Sequence, residues 1–143
     1  MNRKKKTNSI RTTSAKGASK AHDFEAVFAA LKNTLVPYAQ DLHVLTDKPG
    51  IYQVETRSPV YKGRPLYFAG VRTGKNYVSF YLMPVYMNPV LQQEMSPQLK
   101  KRMQGKACFN FTAPDPALFH ELSALTASGF QCFRSPKFPE ACK

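Results

Sequence analysis

The sequence predicts an α+β fold, a two-layer sandwich in which an antiparallel sheet of about five strands carries the N- and C-terminal helices on one face. Three observations favour this class. Apolar residues follow a helical spacing near each end of the chain and a two-residue alternation between those ends. Strands and helices do not alternate regularly, which disfavours a parallel sheet. The 143 residues provide one hydrophobic core but hardly two.

The charge divides the chain into parts. It has 21 Lys and Arg against 9 Asp and Glu, a net charge of +12. Residues 1–22 hold seven of the basic residues and no acidic one, so the remainder has 14 basic and 9 acidic residues, a net charge of +5. We therefore expect a disordered basic tail over residues 1–22, a folded domain over 23–130 and an irregular, proline-rich tail over 131–143.

The first helix is predicted to begin at Asp23, which suits an N-cap, and to end before Pro37. Its apolar residues recur at spacings of four, three and four: Phe24, Phe28, Leu31 and Leu35. This stripe indicates an amphipathic helix that needs a partner surface.

Two strand pairs follow the first helix. Residues 42–46 and 51–56 flank a turn at 47–50, and residues 65–73 and 76–83 flank a turn at Gly74 and Lys75. In the last of these strands three apolar residues alternate with three amphipathic ones: Val78, Phe80 and Leu82 against Tyr77, Ser79 and Tyr81. One face of this strand is therefore expected to be buried.

The second half of the chain contains three helix starts. Asn88 and Ser96 each precede a proline, which predicts two short helices in tandem, the second ending at Gly105. Residues 106–111 return to strand alternation. Asp115 then caps a last helix that is expected to end at Gly129.

Several stretches resemble the YdhG-like domain of bacterial proteins. They are FAGVR at 68–72, KNYVSFYLMPVY at 75–86, SPQLKKRMQGKACFNF at 96–111, and Leu118, Phe119 and Leu122 after them. The resemblance covers about residues 24–130. It implies a small α+β sandwich and, for most members, no assigned activity.

Some relatives in that family are described as frataxin-like iron chaperones, so iron binding is one alternative function. Such carriers hold hard cations on acidic surfaces. The first predicted helix here offers only Asp23 and Glu25, and the body of the chain is net positive. The resemblance is therefore taken to imply the fold more than the iron role.

The sequence contains no combination of residues that predicts catalysis, a metal or a cofactor. His120 and Glu121 begin a zinc-protease motif, but Ala124 stands at the second ligand position. Residues 70–76 resemble a phosphate-binding loop, yet they lie between two strands and are better explained as a hairpin turn. We therefore expect a binding domain rather than an enzyme.

The leading candidate site is the second face of the sheet, where aromatic residues stand beside basic ones. Its residues are Arg72, Lys75, Tyr77, Ser79 and Tyr81, with Tyr67 as a possible neighbour. Such a face is suited to stacking a base or another flat ligand. If Phe133 and Phe138 packed over Tyr77 and Tyr81, this site would be lost.

A second candidate is an anion-binding patch of four cations: Lys100, Lys101, Arg102 and Lys106. They are expected at a helix C-terminus, where cations are favoured in any case. Together with the basic tail they suggest an alternative function, weak and salt-sensitive nucleic-acid binding. The partner is otherwise left open as a small ligand or a protein, and the oligomeric state is not predicted.

The N-terminus lacks an apolar stretch of the kind that a secretory signal needs, and no segment is apolar enough for membrane insertion. Three cysteines at separations of 24 and 10 residues fit free thiols in a reducing compartment. These features predict a cytoplasmic protein.

Overall fold

The computed structural model describes residues 16–57, 61–135 and 138, with side chains described from residue 23 onward. Its centre is a six-stranded antiparallel sheet, which confirms the α+β class and corrects the predicted number of five strands. The strands are β1 (Leu42–Lys48), β2 (Ile51–Thr56), β3 (Tyr67–Thr73), β4 (Val78–Leu82), β5 (Met103–Gln104) and β6 (Cys108–Phe111).

Among the described residues, two long helices and three short ones accompany the sheet. Helix α1 (Lys16–Leu35) leads through a 3-10 helix (Val36–Asp41) into β1. The short helices α2 (Met83–Met87), α3 (Pro89–Gln93) and α4 (Pro97–Lys100) connect β4 to β5, and α5 (Pro116–Arg134) ends the described helical part. Strands are ordered β1-β2-β3-β4-β6-β5, so β3 and β4 are central.

Helix α1 begins earlier than predicted. It starts at Lys16, so the backbone of residues 16–22, which were assigned to the disordered tail, is helical. The N-cap role predicted for Asp23 is therefore wrong, because that residue lies inside the helix. The rest of the predicted basic tail, residues 1–15, lies outside the described residues.

The caps predicted for three later helices are confirmed. The side chain of Asn88 accepts a hydrogen bond from the Val90 backbone amide, and that of Ser96 accepts one from Leu99. Asp115 caps α5 in the same way. Each side chain satisfies an amide that the first helical turn leaves without a partner.

Both glycines that were predicted to end helices have other roles. Helix α4 ends already at Lys100, and Gly105 lies in the turn between β5 and β6 with a φ of +79°. Helix α5 continues through Gly129 to Arg134. A Cβ at Gly129 would lie 2.6 Å from two carbon atoms of Pro84, so this glycine allows α2 to approach α5 closely.

The hydrophobic core forms one cluster between the sheet and the helices. Aromatic rings fill the part beside α5: the Phe68 centroid lies 5.9 Å from that of Phe130 and 5.6 Å from that of Phe133. Tyr38 packs on Phe130 at 4.7 Å. Residues 131–134, predicted to be irregular, are thus a core-forming turn of α5.

A β-bulge in β3 decides which side chains enter this core. Ala69 pairs with Val54 and Tyr67 pairs with Glu55, so Phe68 is an extra residue in β3. Phe68 and Ala69 are consequently both buried, although they are adjacent in sequence. Leu45 is a similar extra residue in β1.

The cysteines differ from the expectation of free thiols. Cys108 has a free thiol. Cys132 is disulfide-bonded, so the prediction is wrong for this residue.

Candidate ligand-binding face of the sheet

One face of the sheet carries polar and aromatic side chains, whereas the other packs against the helices. On the two central strands the pairs Ala69–Leu82 and Val71–Phe80 are buried, and they alternate with Gly70–Tyr81 and Arg72–Ser79. We call the face that carries Arg72 and Tyr81 the open face. No helix of the described residues covers it, since α1 and α5 both contribute to the core on the other side.

Tyr81 is the most exposed aromatic residue on the central strands. Its side chain is 43% exposed, and that of Tyr77, which precedes β4 on the same face, is 37% exposed. The Tyr81 hydroxyl hydrogen-bonds to the Cys108 side chain, and this bond raises the pKa of Tyr81, while nearby Arg72 opposes the shift. Tyr81 is therefore a neutral ring with a fixed hydroxyl at neutral pH.

Tyr67 also contributes to the open face, but it is more buried than Tyr81. Burial raises the pKa of Tyr67 to about 12, although a side-chain hydrogen bond with Gln53 opposes this shift. A Cβ at Gly70 would overlap the Tyr67 hydroxyl, so the missing side chain of Gly70 leaves the space in which that hydroxyl lies. The two tyrosines are near enough for Tyr81 to influence the pKa of Tyr67.

These residues enclose a shallow depression of about 340 Å³. Its polar lining comes from Gln53, Tyr67, Arg72 and Tyr81, and Gly70 and Val71 complete it. The Tyr67 hydroxyl and the exposed Arg72 guanidinium can donate hydrogen bonds to an oxygen-rich ligand, whereas the proton of the Tyr81 hydroxyl is directed to Cys108. The Tyr81 ring presents a surface for stacking next to them.

Ser79 has a structural role on this face. Its hydroxyl donates a hydrogen bond of 2.7 Å to Asn110 Oδ1, and the side chain is buried. Asn110 Nδ2 in turn donates to Gln104 Oε1 at 2.7 Å, and the Cys108 thiol donates to Asn110 Oδ1 at 3.4 Å. This network ties β4 to β6 and β5 beside Tyr81.

The remaining predicted residue of this site, Lys75, is exposed in the turn between β3 and β4. The backbone amide of Gly74 donates to the Tyr77 carbonyl at 2.8 Å and closes that turn. The hairpin interpretation of residues 70–76 is thereby confirmed. Lys75 lies at the tip of the hairpin and Arg72 lies within the face.

Phe133 and Phe138, which could have covered the open face, do not pack on it. Phe138 packs on Phe133 with centroids 5.0 Å apart and on Tyr61 at 6.4 Å. Phe133 in turn contacts Phe68 in the core. Both rings thus lie on the helix side of the sheet, away from Tyr77 and Tyr81.

The four cations of the second candidate site are exposed but have different neighbours. Lys106 Nζ lies 5.7 Å from the centroid of the Tyr86 ring, and the Arg102 guanidinium lies 6.0 Å from that of Phe111. Lys100 lies beside α3, and Lys101 follows it in a turn. Helix α4 has only four residues, so the carbonyl groups at its C-terminus attract cations only weakly.

Several residues of the open face were missed by the sequence reasoning. Gln53, Cys108, Asn110 and Gln104 reach it through the pairing of β2, β5 and β6 with the central strands. The sequence predicted residues 51–56 as a strand but did not assign Gln53 to either side of it. Which strands neighbour each other was not readable from the sequence.

Glu121 also has a structural role, which explains the partial zinc-protease motif. Its carboxylate accepts two hydrogen bonds of 2.7 Å, from the Ser96 backbone amide and from the Ser96 hydroxyl. Since α5 carries Glu121 and Ser96 caps α4, this pair fastens the short helix to the long one. His120 is exposed.

The His, Cys, Asp and Glu side chains of the described residues do not gather in any group of three or more that could hold a metal ion. In the same part of the chain, no helix is both long and apolar enough to cross a membrane.

Comparisons with known proteins give no match to a family model, to a curated protein or to a solved structure. Function is therefore inferred from the geometry of the chain itself.

Proposed function

We propose that the protein is a non-enzymatic binding domain of the YdhG-like type that takes a planar, negatively charged ligand of the nucleotide class on its open face. The observation that carries this proposal is the position of Tyr81. It lies on a central strand, 43% exposed, beside the exposed Arg72 and above the depression that Tyr67 lines.

The chemistry of the face supports this ligand class. Stacking of a base on an aromatic side chain contributes roughly 1–3 kcal/mol, and it tolerates any base because each has a π-face. The Arg72 guanidinium supplies charged donors for a phosphate. Both central tyrosines stay protonated at neutral pH, so neither adds negative charge to the face, and the Tyr67 hydroxyl can donate a hydrogen bond to the ligand.

Binding is favoured over covalent chemistry by the surroundings of Cys108. Its side-chain hydrogen bonds go to Tyr81 and Asn110. Neither partner is a general base of the kind that activates a catalytic cysteine. The thiol therefore supports the position of the Tyr81 ring.

The test measures binding of nucleoside monophosphates by calorimetry and of short fluorescent single-stranded oligonucleotides by anisotropy, using the full chain. Tyr81→Ala is expected to weaken binding by about 5- to 150-fold, the equivalent of one stacked base. Arg72→Gln is expected to weaken it and to reduce its salt dependence. Tyr86→Ala is the matched control, because Tyr86 is 55% exposed but lies on α2 outside the sheet.

The result that contradicts the proposal is equal binding by the Tyr81 and Tyr86 variants. A variant with Gln at the four cations of residues 100–106 separates the alternative. If that variant loses oligonucleotide binding while Tyr81→Ala retains it, nucleic acid binds at the second candidate site. Iron titration tests the third function, since retention of iron above a buffer control would favour it.

A further inference from the structure

A second cavity lies on the helix side of the sheet, where the C-terminal end of α5 approaches the paired residues Leu42 and Thr56 of β1 and β2. Its volume is about 350 Å³. The cavity is separate from the open face, because Leu42, Phe130 and Phe133 line it and all three belong to the core on the other side of the sheet. What binds here is therefore independent of the function proposed above.

The floor of this cavity is apolar. Leu42, Phe130 and Phe133 are each less than a tenth exposed, so their accessible atoms face the cavity rather than open solvent. A small hydrocarbon group placed there would bury apolar surface on both sides, which is favourable by roughly 25 cal/mol per Å².

The rim of the cavity carries two arginines. Arg57 Nε donates a hydrogen bond of 3.2 Å to the Leu42 carbonyl, which holds this guanidinium at the rim and leaves its terminal nitrogens available. The Arg134 guanidinium lies 5.6 Å from the centroid of the Phe130 ring. Neither arginine forms an ion pair within the described part of the chain.

The charge of the rim limits what it can hold. Asp41 also lines the cavity, so among the described lining residues two cations face one anion, a net charge of +1. The carbonyl groups at the end of α5 add partial negative charge that disfavours an anion, and the two guanidinium groups offset it. A single carboxylate balances this rim, and its planar geometry matches a guanidinium fork.

We propose that this arginine-rimmed cavity binds a small monocarboxylate that carries an aromatic or branched aliphatic group. The carboxylate lies between Arg57 and Arg134, and the apolar group lies on Phe130 and Phe133. Asp41 selects against ligands with two or three negative charges.

The experiment uses the full chain and three probes in ligand-observed NMR and calorimetry: benzoate, benzyl alcohol and inorganic phosphate. Benzoate is expected to bind saturably, and the neutral alcohol and phosphate are each expected to bind at least about tenfold more weakly. Equal binding of the alcohol would refute the role of the arginines, and equal binding of phosphate would refute the role of the apolar floor. An absence of saturable benzoate binding up to roughly 10 mM overturns the proposal.

Variants locate the site. Arg57→Gln and Arg134→Gln are each expected to weaken benzoate binding by about tenfold or more. Arg64→Gln is the matched control, since Arg64 is an exposed arginine that lines neither this cavity nor the depression on the open face, and the change is expected to leave benzoate binding unchanged. If Arg57→Gln fails to fold, Arg57→Lys keeps the charge without the fork and is expected to retain only part of the affinity. Loss of benzoate binding in Arg72→Gln alone would place the ligand on the open face and overturn the inference.

Discussion

Replacing Gly129 with alanine tests whether the contact between α2 and α5 is as close as the structure has it. In an exposed helical position this change stabilises a protein by about 1 kcal/mol, because alanine has the higher helix propensity. At Gly129 the new Cβ would lie 2.6 Å from two carbon atoms of Pro84. Carbon atoms in contact prefer about 3.5–4.0 Å, so Pro84 must move away by roughly 1 Å.

The size of the effect follows from two opposing terms. Pro84 is buried and its ring is rigid, so α2 has to shift as a unit. Such overpacking in a core costs about 1–3 kcal/mol, and the gain in helix propensity offsets about 1 kcal/mol. We expect Gly129→Ala to lower the free energy of unfolding by up to about 2 kcal/mol.

Urea unfolding followed by circular dichroism measures this change. The control is Ser128→Ala, because Ser128 is the adjacent exposed residue of α5 and its substitution adds only helix propensity. We expect the control to stabilise the protein by a few tenths of a kcal/mol. If Gly129→Ala stabilised the protein as much as Ser128→Ala or more, the close approach of Pro84 would be refuted.

Three further predictions concern other contacts. Glu121→Ala removes both hydrogen bonds to Ser96 and is expected to lower the free energy of unfolding by about 1.5–3 kcal/mol. Glu121→Gln is expected to cause a smaller loss. A change below about 0.5 kcal/mol for Glu121→Ala in urea unfolding would contradict this prediction. Because burial raises the pKa of Tyr67 to about 12 from 10.0, the folded chain keeps a proton that the unfolded chain loses. Stability should therefore fall between about pH 10 and pH 12, and less steeply in Tyr67→Phe; equal slopes in alkaline unfolding would argue against a buried phenol. Nucleotide bound on Tyr81 is expected to slow alkylation of Cys108, measured by mass spectrometry, and an unchanged rate at saturation would count against the open-face site.

Local patterns predicted those parts of the fold that depend on local contacts. The alternation of Val78, Phe80 and Leu82 identified the buried side of β4, and the capping residues Ser96 and Asp115 identified two helix starts. The same alternation placed Tyr77 and Tyr81 on the opposite side, where the structure has them exposed. Each of these features is set by residues within a few positions along the chain.

Features that depend on distant contacts were not predictable in this way. A glycine after a helical apolar pattern is typical of a helix end, which is why Gly129 was predicted to end α5. Its role in the structure depends on contact with Pro84, which lies 45 residues earlier in the chain. Strand β5 consists of two residues that pair with β6, so it is too short to show an alternation. The depression on the open face also depends on Gln53 and Gly70 becoming neighbours across two strands.

The extra residue in β3 affects how length differences in this part of the sheet should be interpreted. An insertion within a strand normally exchanges its two sides from that point on. Here Ala69 still pairs with Val54 and Tyr67 with Glu55, so the bulge absorbs the insertion. A version of the chain without Phe68 would keep Tyr67 and Arg72 on the open face. It would lose the aromatic contacts to Phe130 and Phe133. A related sequence that is one residue shorter at this point would therefore differ in its core packing and not in the residues of the open face.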